Sequence, residues 1–243
     1  MEQPEKLRVA YLLPNLFTAA SIFLGMLSLL ASVKGEFAMA GWYIMLSLIF
    51  DGLDGRIARL TNTTSKFGVE FDSLADVVAF GVAPSVLFYF SVGHNYGRWG
   101  VLVAALFVIF GAVRLARFNV QVGTTEPNVF IGVPIPTAAV FVSSWIMLLE
   151  EFNALQVWGI LMMFAMTVVA ILMVSNVRFP SFKKISLDRA NFIKILVILI
   201  LIFSLLYLYP LPTLVTFMTG YILYGLLRAT YYKFFGKRIH IQA

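Results

Sequence analysis

The sequence predicts an all-α polytopic membrane protein, a bundle of about eight transmembrane helices, and three observations carry that expectation. Hydrophobic residues make up 60% of the 243 and charged residues only 12%, about half the charged share of soluble domains. Uncharged runs close to the ~20 residues that cross ~30 Å of hydrocarbon as a helix recur along the chain. The cations also fall almost entirely between alternate pairs of runs. This composition excludes a disordered chain and a water-soluble globular domain. The absence of cysteine removes disulfides, thiolate metal sites and thiol nucleophiles. The net charge of +6 is spread between apolar runs, unlike the dense basic patch of a nucleic-acid binder. No nucleic-acid partner is expected.

The first span covers residues 11–33, too long for a cleavable signal peptide and without its flanks. The second, 37–60, is apolar to Phe50 and charged at its end; the third, 68–89, mirrors it with charge at its start. Spans at 99–113, 134–149 and 155–174 come next. The run 195–227 is too long for one span, and Pro210-Leu-Pro212 divides it into a seventh and an eighth, since proline lacks the N–H that a helix interior needs. An even count places both termini on one side. All lysines and arginines except Lys34 and Arg98 then share that side, so the positive-inside rule assigns it to the cytoplasm. The expectation is one transmembrane domain over residues 1–243 in the plasma membrane, with segment 182–189 as a basic cytosolic connection. Arg56-Ile-Ala-Arg59 and Arg114-Leu-Ala-Arg117 echo each other but read as two ordinary basic helix ends.

Asp51, Asp54, Asp72 and Asp76 lie in or beside predicted spans. A carboxylate at mid-membrane costs on the order of 2.5–3.5 kcal/mol on insertion scales, so such residues call for a function. Asp51, Asp54 and Gly55 are spaced i, i+3, i+4, and Gly68, Asp72 and Asp76 are spaced i, i+4, i+8. Each set shares one helix face. A short connection around residues 61–66 makes the two helices antiparallel, so the faces converge. Four carboxylates in a low-dielectric pocket repel unless neutralised, and hard divalent cations, Mg²⁺ or Mn²⁺, are the natural partners. Simple pairing of Asp51 and Asp54 with Arg56 and Arg59 accounts for two acids but not four. Gly55 and Gly68 serve either close helix packing or the passage of a ligand where a side chain would collide. A divalent-cation transporter, the reading from another class, expects acids through the membrane depth; here all four cluster near the cytosolic helix ends.

Read as one string, Asp51-x2-Asp54-Gly55-x2-Ala58-Arg59-x8-Gly68-x3-Asp72-x3-Asp76 resembles the CDP-alcohol phosphotransferase signature at all of its fixed positions. The signature spans residues 51–76, from the end of the second helix to the third. Phe80-Gly-Val-Ala-Pro84, Arg114-Leu-Ala-Arg117-Phe-Asn119, Phe130-Ile-Gly-Val-Pro134-Ile-Pro136, and Pro14-Asn15 with Thr18 and Gly25 resemble the membrane-embedded phosphatidylserine synthase branch of that family.

The resemblance implies metal-dependent transfer of a phosphatidyl group from a CDP-linked lipid to the hydroxyl of L-serine, with CMP leaving. It implies Asp51, Asp54 and Asp72 as ligands of a pair of divalent ions in the generic two-metal manner, Asp76 as a further ligand and the catalytic base, and a homodimer. Gly55, Ala58, Arg59, Ser65 and Gly68 match positions near the CDP-lipid. Serine carries a carboxylate and an ammonium, so its pocket needs a cation; Arg114 and Arg117 are the candidates, with Asn119 as a neutral partner. Ordinary cytosolic anchoring explains either arginine alone equally well. CDP-diacylglycerol and ether-linked CDP-archaeol both stay open as donors, and glycerol phosphate or inositol phosphate is the alternative acceptor. His94, in an external loop, and His240, in the C-terminal tail, are not expected to be catalytic.

Overall fold

In hydrocarbon every backbone N–H and C=O must find a partner within the protein, which selects helices for long apolar runs. The computed structural model describes residues 6–121, 129–180 and 189–235; the basic segment 182–188 and His240 lie outside the described residues. The helices are α1 (Lys6–Val33), α2 (Phe37–Leu60), α3 (Lys66–Asp76), α4 (Ala83–Ser91), α5 (Arg98–Gln121), α6 (Ile135–Glu151), α7 (Leu155–Val174), α8 (Arg189–Leu208) and α9 (Pro210–Phe235). A π-helical segment, Val77–Val82, joins α3 to α4 in one rod. The expected eight rods are therefore present among the described residues, and Pro210 opens a new helix as expected. Six are long and apolar enough to cross a membrane. The other two are α6 and the apolar stretch Ile195–Leu208 of α8, both shorter.

Short α6 lies deep in the bundle: 11 of its 17 residues are buried, as expected of a helix apolar on all sides. Around it pack α2, α4, α7 and α9. By contrast, α8 turns Ile198, Phe203 and Tyr207 outward, a pattern that water would penalise but lipid does not. Seams between helices use small and hydroxylated residues, which let backbones approach in membranes. A Cβ at Gly25 of α1 would stand 3.0 Å from Ala79 Cα in the π segment. Ser21 and Ser47 hydroxyls bond across the α1–α2 seam at 2.7 Å; such bonds contribute about 0.6 kcal/mol each in membrane proteins.

Two features depart from a plain helix bundle. The third span is a helical rod, yet Val77–Val82 within it is π-helical. A π turn admits an extra residue and so rotates α4 about the rod axis relative to α3. Asp72 and Asp76 are thereby directed to the site, while Ala79, Phe80 and Ala83 enter the core with no exposure. The second departure is a small antiparallel ribbon between β1 (Val129–Ile131) and β2 (Arg178–Pro180). It is too short to leave a periodic signature in the sequence. Phe179 on β2 is fully buried against Tyr221 of α9, with ring centroids 5.5 Å apart. Gly225, one turn further along α9, leaves the room that ring occupies.

Candidate active site

The signature residues gather where α2 ends and α3 begins. α2 stops because Asn62 takes a left-handed conformation (φ 53°) just past the cap, a conformation asparagine tolerates at helix ends. Thr61 Oγ1 donates to Ile57 O at 2.7 Å, closing the last turn. Ser65 then starts α3 as N-cap: its extended backbone lets Oγ accept the Gly68 N–H at 3.0 Å. α1 packs against both α2 and α3 and forms the common wall.

One carboxylate oxygen from each of Asp51, Asp72 and Asp76 lies within 4.8 Å of the others. Asp76 is 9% exposed, and Asp51 and Asp72 are half-buried. Asp72 Oδ1 and Asp76 Oδ1 are buried with no hydrogen-bond partner. Buried anionic oxygens left unpaired are costly, and an all-oxygen, all-carboxylate donor set suits a hard divalent cation. The residues present fit such an ion. Asp54 stands outside this trio. It is buried, and its Oδ2 accepts a 2.6 Å hydrogen bond from Thr18 Oγ1 of α1.

A cleft of about 220 Å³ opens beside the carboxylates, and Asp54 and Asp72 are in its wall. Gly55, Ala58, Arg59, Ser65 and Gly68 all line it, together with Pro14, Asn15 and Thr18 from α1. The two glycines separate here. A Cβ at Gly68 would press on Ser65 Oγ at 3.2 Å and approach Asn15 Oδ1 at 3.6 Å, so Gly68 serves the contact between α3 and α1. A Cβ at Gly55 would meet only Arg59 Nη2, at 3.9 Å. Helix packing therefore does not require glycine at 55, and the open space there belongs to the cleft. Arg59 Nε donates to Gly55 O at 2.9 Å, which holds the guanidinium along the rim.

The three residues expected to meet serine are not equivalent. Arg114 is buried, its Cζ 5.6 Å above the Phe118 ring, within electrostatic reach of Asp76 and of Tyr221. Arg117 reaches the end of α7, donating to Val174 O at 3.3 Å and Asn176 Oδ1 at 2.7 Å. Asn119 Nδ2 donates to Ser73 Oγ at 2.9 Å, tying α5 to α3 beside Asp72. None of the three lines the cleft, and what sets Arg114 apart is its nearness to Asp76. Thr18 and Tyr221 had no role in the sequence-level site. Thr18 shows only as part of a motif on α1, and Tyr221 lies over a hundred positions from Arg114, so no local spacing links them.

The sequence is similar to that of known proteins. Residues 11–175 match the family described as CDP-alcohol phosphatidyltransferase. The chain is 53% identical over 219 residues to a CDP-diacylglycerol–serine O-phosphatidyltransferase from Helicobacter pylori, covering 90% of this chain and 91% of the relative. It is 36% identical over 184 residues to an archaetidylserine synthase from Methanothermobacter thermautotrophicus, covering 74% of each. A CDP-diacylglycerol–serine O-phosphatidyltransferase from Bacillus subtilis is 33% identical over 172 residues, 71% of this chain and 92% of that one. The match runs through α1 to α7, the helices that carry the four signature aspartates and the whole wall of the cleft: this chain belongs to the CDP-alcohol phosphatidyltransferase family.

Proposed function

We propose that this protein transfers the phosphatidyl group of a CDP-linked lipid, CDP-diacylglycerol or CDP-archaeol, to the hydroxyl of L-serine and releases CMP. The observation that carries the proposal is the meeting of an all-oxygen carboxylate cluster with a cleft lined by Gly55, Ala58, Arg59, Ser65 and Gly68. Serine as acceptor is supported by the names of the relatives. Asp51, Asp54, Asp72 and Asp76 would hold Mg²⁺ or Mn²⁺, two ions by the family pattern. Bound there, such ions would neutralise the pyrophosphate charge.

The rest of the chemistry belongs to side chains. The serine oxygen bonds to the phosphorus that carries the lipid, and the bond from that phosphorus to the CMP oxygen breaks, with CMP taking the electron pair. Asp76 receives the serine proton. A free aspartate is too acidic to deprotonate an alcohol in advance, so the transfer comes late, as the P–O bond forms. Arg59 retains its Nη groups for a phosphate oxygen, in the planar geometry that suits it. α2 presents its carbonyl end to the cleft, so the helix dipole does not attract the anion. Arg114 supplies the cation for the serine carboxylate. The positive-inside pattern supports placing both termini and the active site on the cytoplasmic side of the plasma membrane, and the family resemblance supports a homodimer.

The test is CMP release from CDP-diacylglycerol in mixed micelles with Mg²⁺ or Mn²⁺, scanned over serine, glycerol phosphate and inositol phosphate. Release dependent on serine alone is expected; equal release with a phosphorylated alcohol overturns the acceptor assignment. In the same assay Arg114→Ala raises the KM for serine by about 10- to 100-fold, the equivalent of the ~1.5–3 kcal/mol of a charged hydrogen bond. CDP-lipid affinity stays unchanged. Arg117→Ala moves KM in the same direction by less, because its guanidinium is engaged at Val174 and Asn176. Loss of CDP-lipid binding with unchanged serine dependence would move both arginines to the phosphate side of the pocket.

A further inference from the structure

We propose that Thr18 is a positioning residue: its hydroxyl holds the Asp54 carboxylate at the wall of the cleft, in the orientation that completes the metal site. The inference rests on the reading of Asp54 as a metal-holding carboxylate. Asp54 shares its helix face with Asp51, yet it stands apart from the cluster formed by Asp51, Asp72 and Asp76. Something must keep it there, and the structure offers Thr18. Both side chains are buried, Thr18 at 3% and Asp54 at 5% exposure. Thr18 Oγ1 lies 2.6 Å from Asp54 Oδ2 and 3.2 Å from Pro14 O.

A hydroxyl has one proton to donate. The shorter distance is typical of O–H donation to a charged oxygen, and such a bond is roughly twice as strong as one to a neutral carbonyl. The proton therefore goes to Asp54. With Oδ2 anchored to α1, the carboxylate cannot rotate freely, and it is held in the wall of the cleft. Threonine suits the task because a β-branched side chain has few χ1 choices in a helix, and burial shields the bond from water. The arrangement couples the distance between α1 and α2 to the geometry of the site, since α1 supplies no carboxylate of its own. Outer partners of metal-holding groups typically matter by 10- to 100-fold in metal affinity.

The experiment measures Mn²⁺ binding to the full-length, detergent-purified protein without substrate, following free Mn²⁺ by electron paramagnetic resonance. Wild type, Thr18→Val, Thr18→Ser, Ser21→Ala and Asp54→Ala are compared. Valine keeps the shape and removes the donor, and weakens Mn²⁺ binding by about 10- to 100-fold. Serine keeps the donor and binds Mn²⁺ close to wild type, well above Thr18→Val. Ser21→Ala breaks the neighbouring α1–α2 bond to Ser47 without touching Asp54, and binds as wild type. If Asp54→Ala loses Mn²⁺ and Thr18→Val does not, the role of Thr18 is overturned while the site stands. If Asp54→Ala binds as wild type, the ligand reading itself is overturned. A loss in Ser21→Ala or Thr18→Ser equal to that in Thr18→Val means that seam packing, not the hydroxyl, is responsible.

Discussion

Asp51→Ala, Asp54→Ala and Asp72→Ala each abolish CMP release, with rates falling by more than about a thousandfold, or roughly 4 kcal/mol of transition-state stabilisation. The effect is large because Asp72 belongs to both the carboxylate cluster and the cleft wall, with Asp51 in the first and Asp54 in the second. Asp51 and Asp72 stand within 4.8 Å of Asp76 and of each other, and Asp54 and Asp72 both face the cleft. Each substitution removes an oxygen that no neighbouring residue replaces, and it also changes the charge that balances the ions. Mn²⁺ binding should weaken in parallel with activity. Near-normal turnover in any two of these variants at ordinary Mg²⁺ would remove the two-metal assignment.

Asp76→Asn separates binding from chemistry. The amide keeps the size of the side chain and one oxygen but loses the proton acceptor. Asp76 is the most enclosed member of the trio, and its Oδ1 is buried without a partner, so no bulk water stands ready to take the proton instead. CDP-lipid binding, measured by calorimetry, persists, while the rate falls by roughly 10²–10⁴, the range for loss of a general base. A larger fall indicates that a metal ion is displaced as well. Raising the pH does not restore the rate, because the serine hydroxyl remains far too weak an acid to ionise by itself. An Asp76→Asn enzyme with near-normal turnover would eliminate it as the base.

Much of this protein is legible in one dimension because its two strongest constraints are local. Hydrocarbon admits only self-satisfied helices, so runs of apolar residues mark the spans, and Pro210 marks where α8 gives way to α9. The spacing of Asp51, Asp54, Asp72 and Asp76 puts each pair on one face through helix geometry alone, and fixed spacing around them carries the family resemblance. The residues of the cleft wall contributed by α2 and α3, from Gly55 to Gly68, belong to the same short string. Thus the eight rods among the described residues and the placing of the four aspartates on two neighbouring helix faces were legible in sequence.

Other features arise from contacts between distant residues. The hydroxyl that holds Asp54 comes from a different helix, 36 positions earlier. Asn119 is occupied by Ser73, and Arg117 by Val174 and Asn176, partners set by how α5 lies against α3 and α7. Whether a glycine makes room for a neighbour or for a ligand depends on what surrounds it, which separates Gly68 from Gly55. The π turn after Asp76 leaves no compositional mark, since Val77–Val82 is as apolar as any regular span. Sequence specified which groups carry charge and which face of each helix they occupy, because both are properties of residue type and helical period. Tertiary structure alone decided which of those groups meet, which are already bonded and which oxygens remain open, because these depend on how the helices are set against one another.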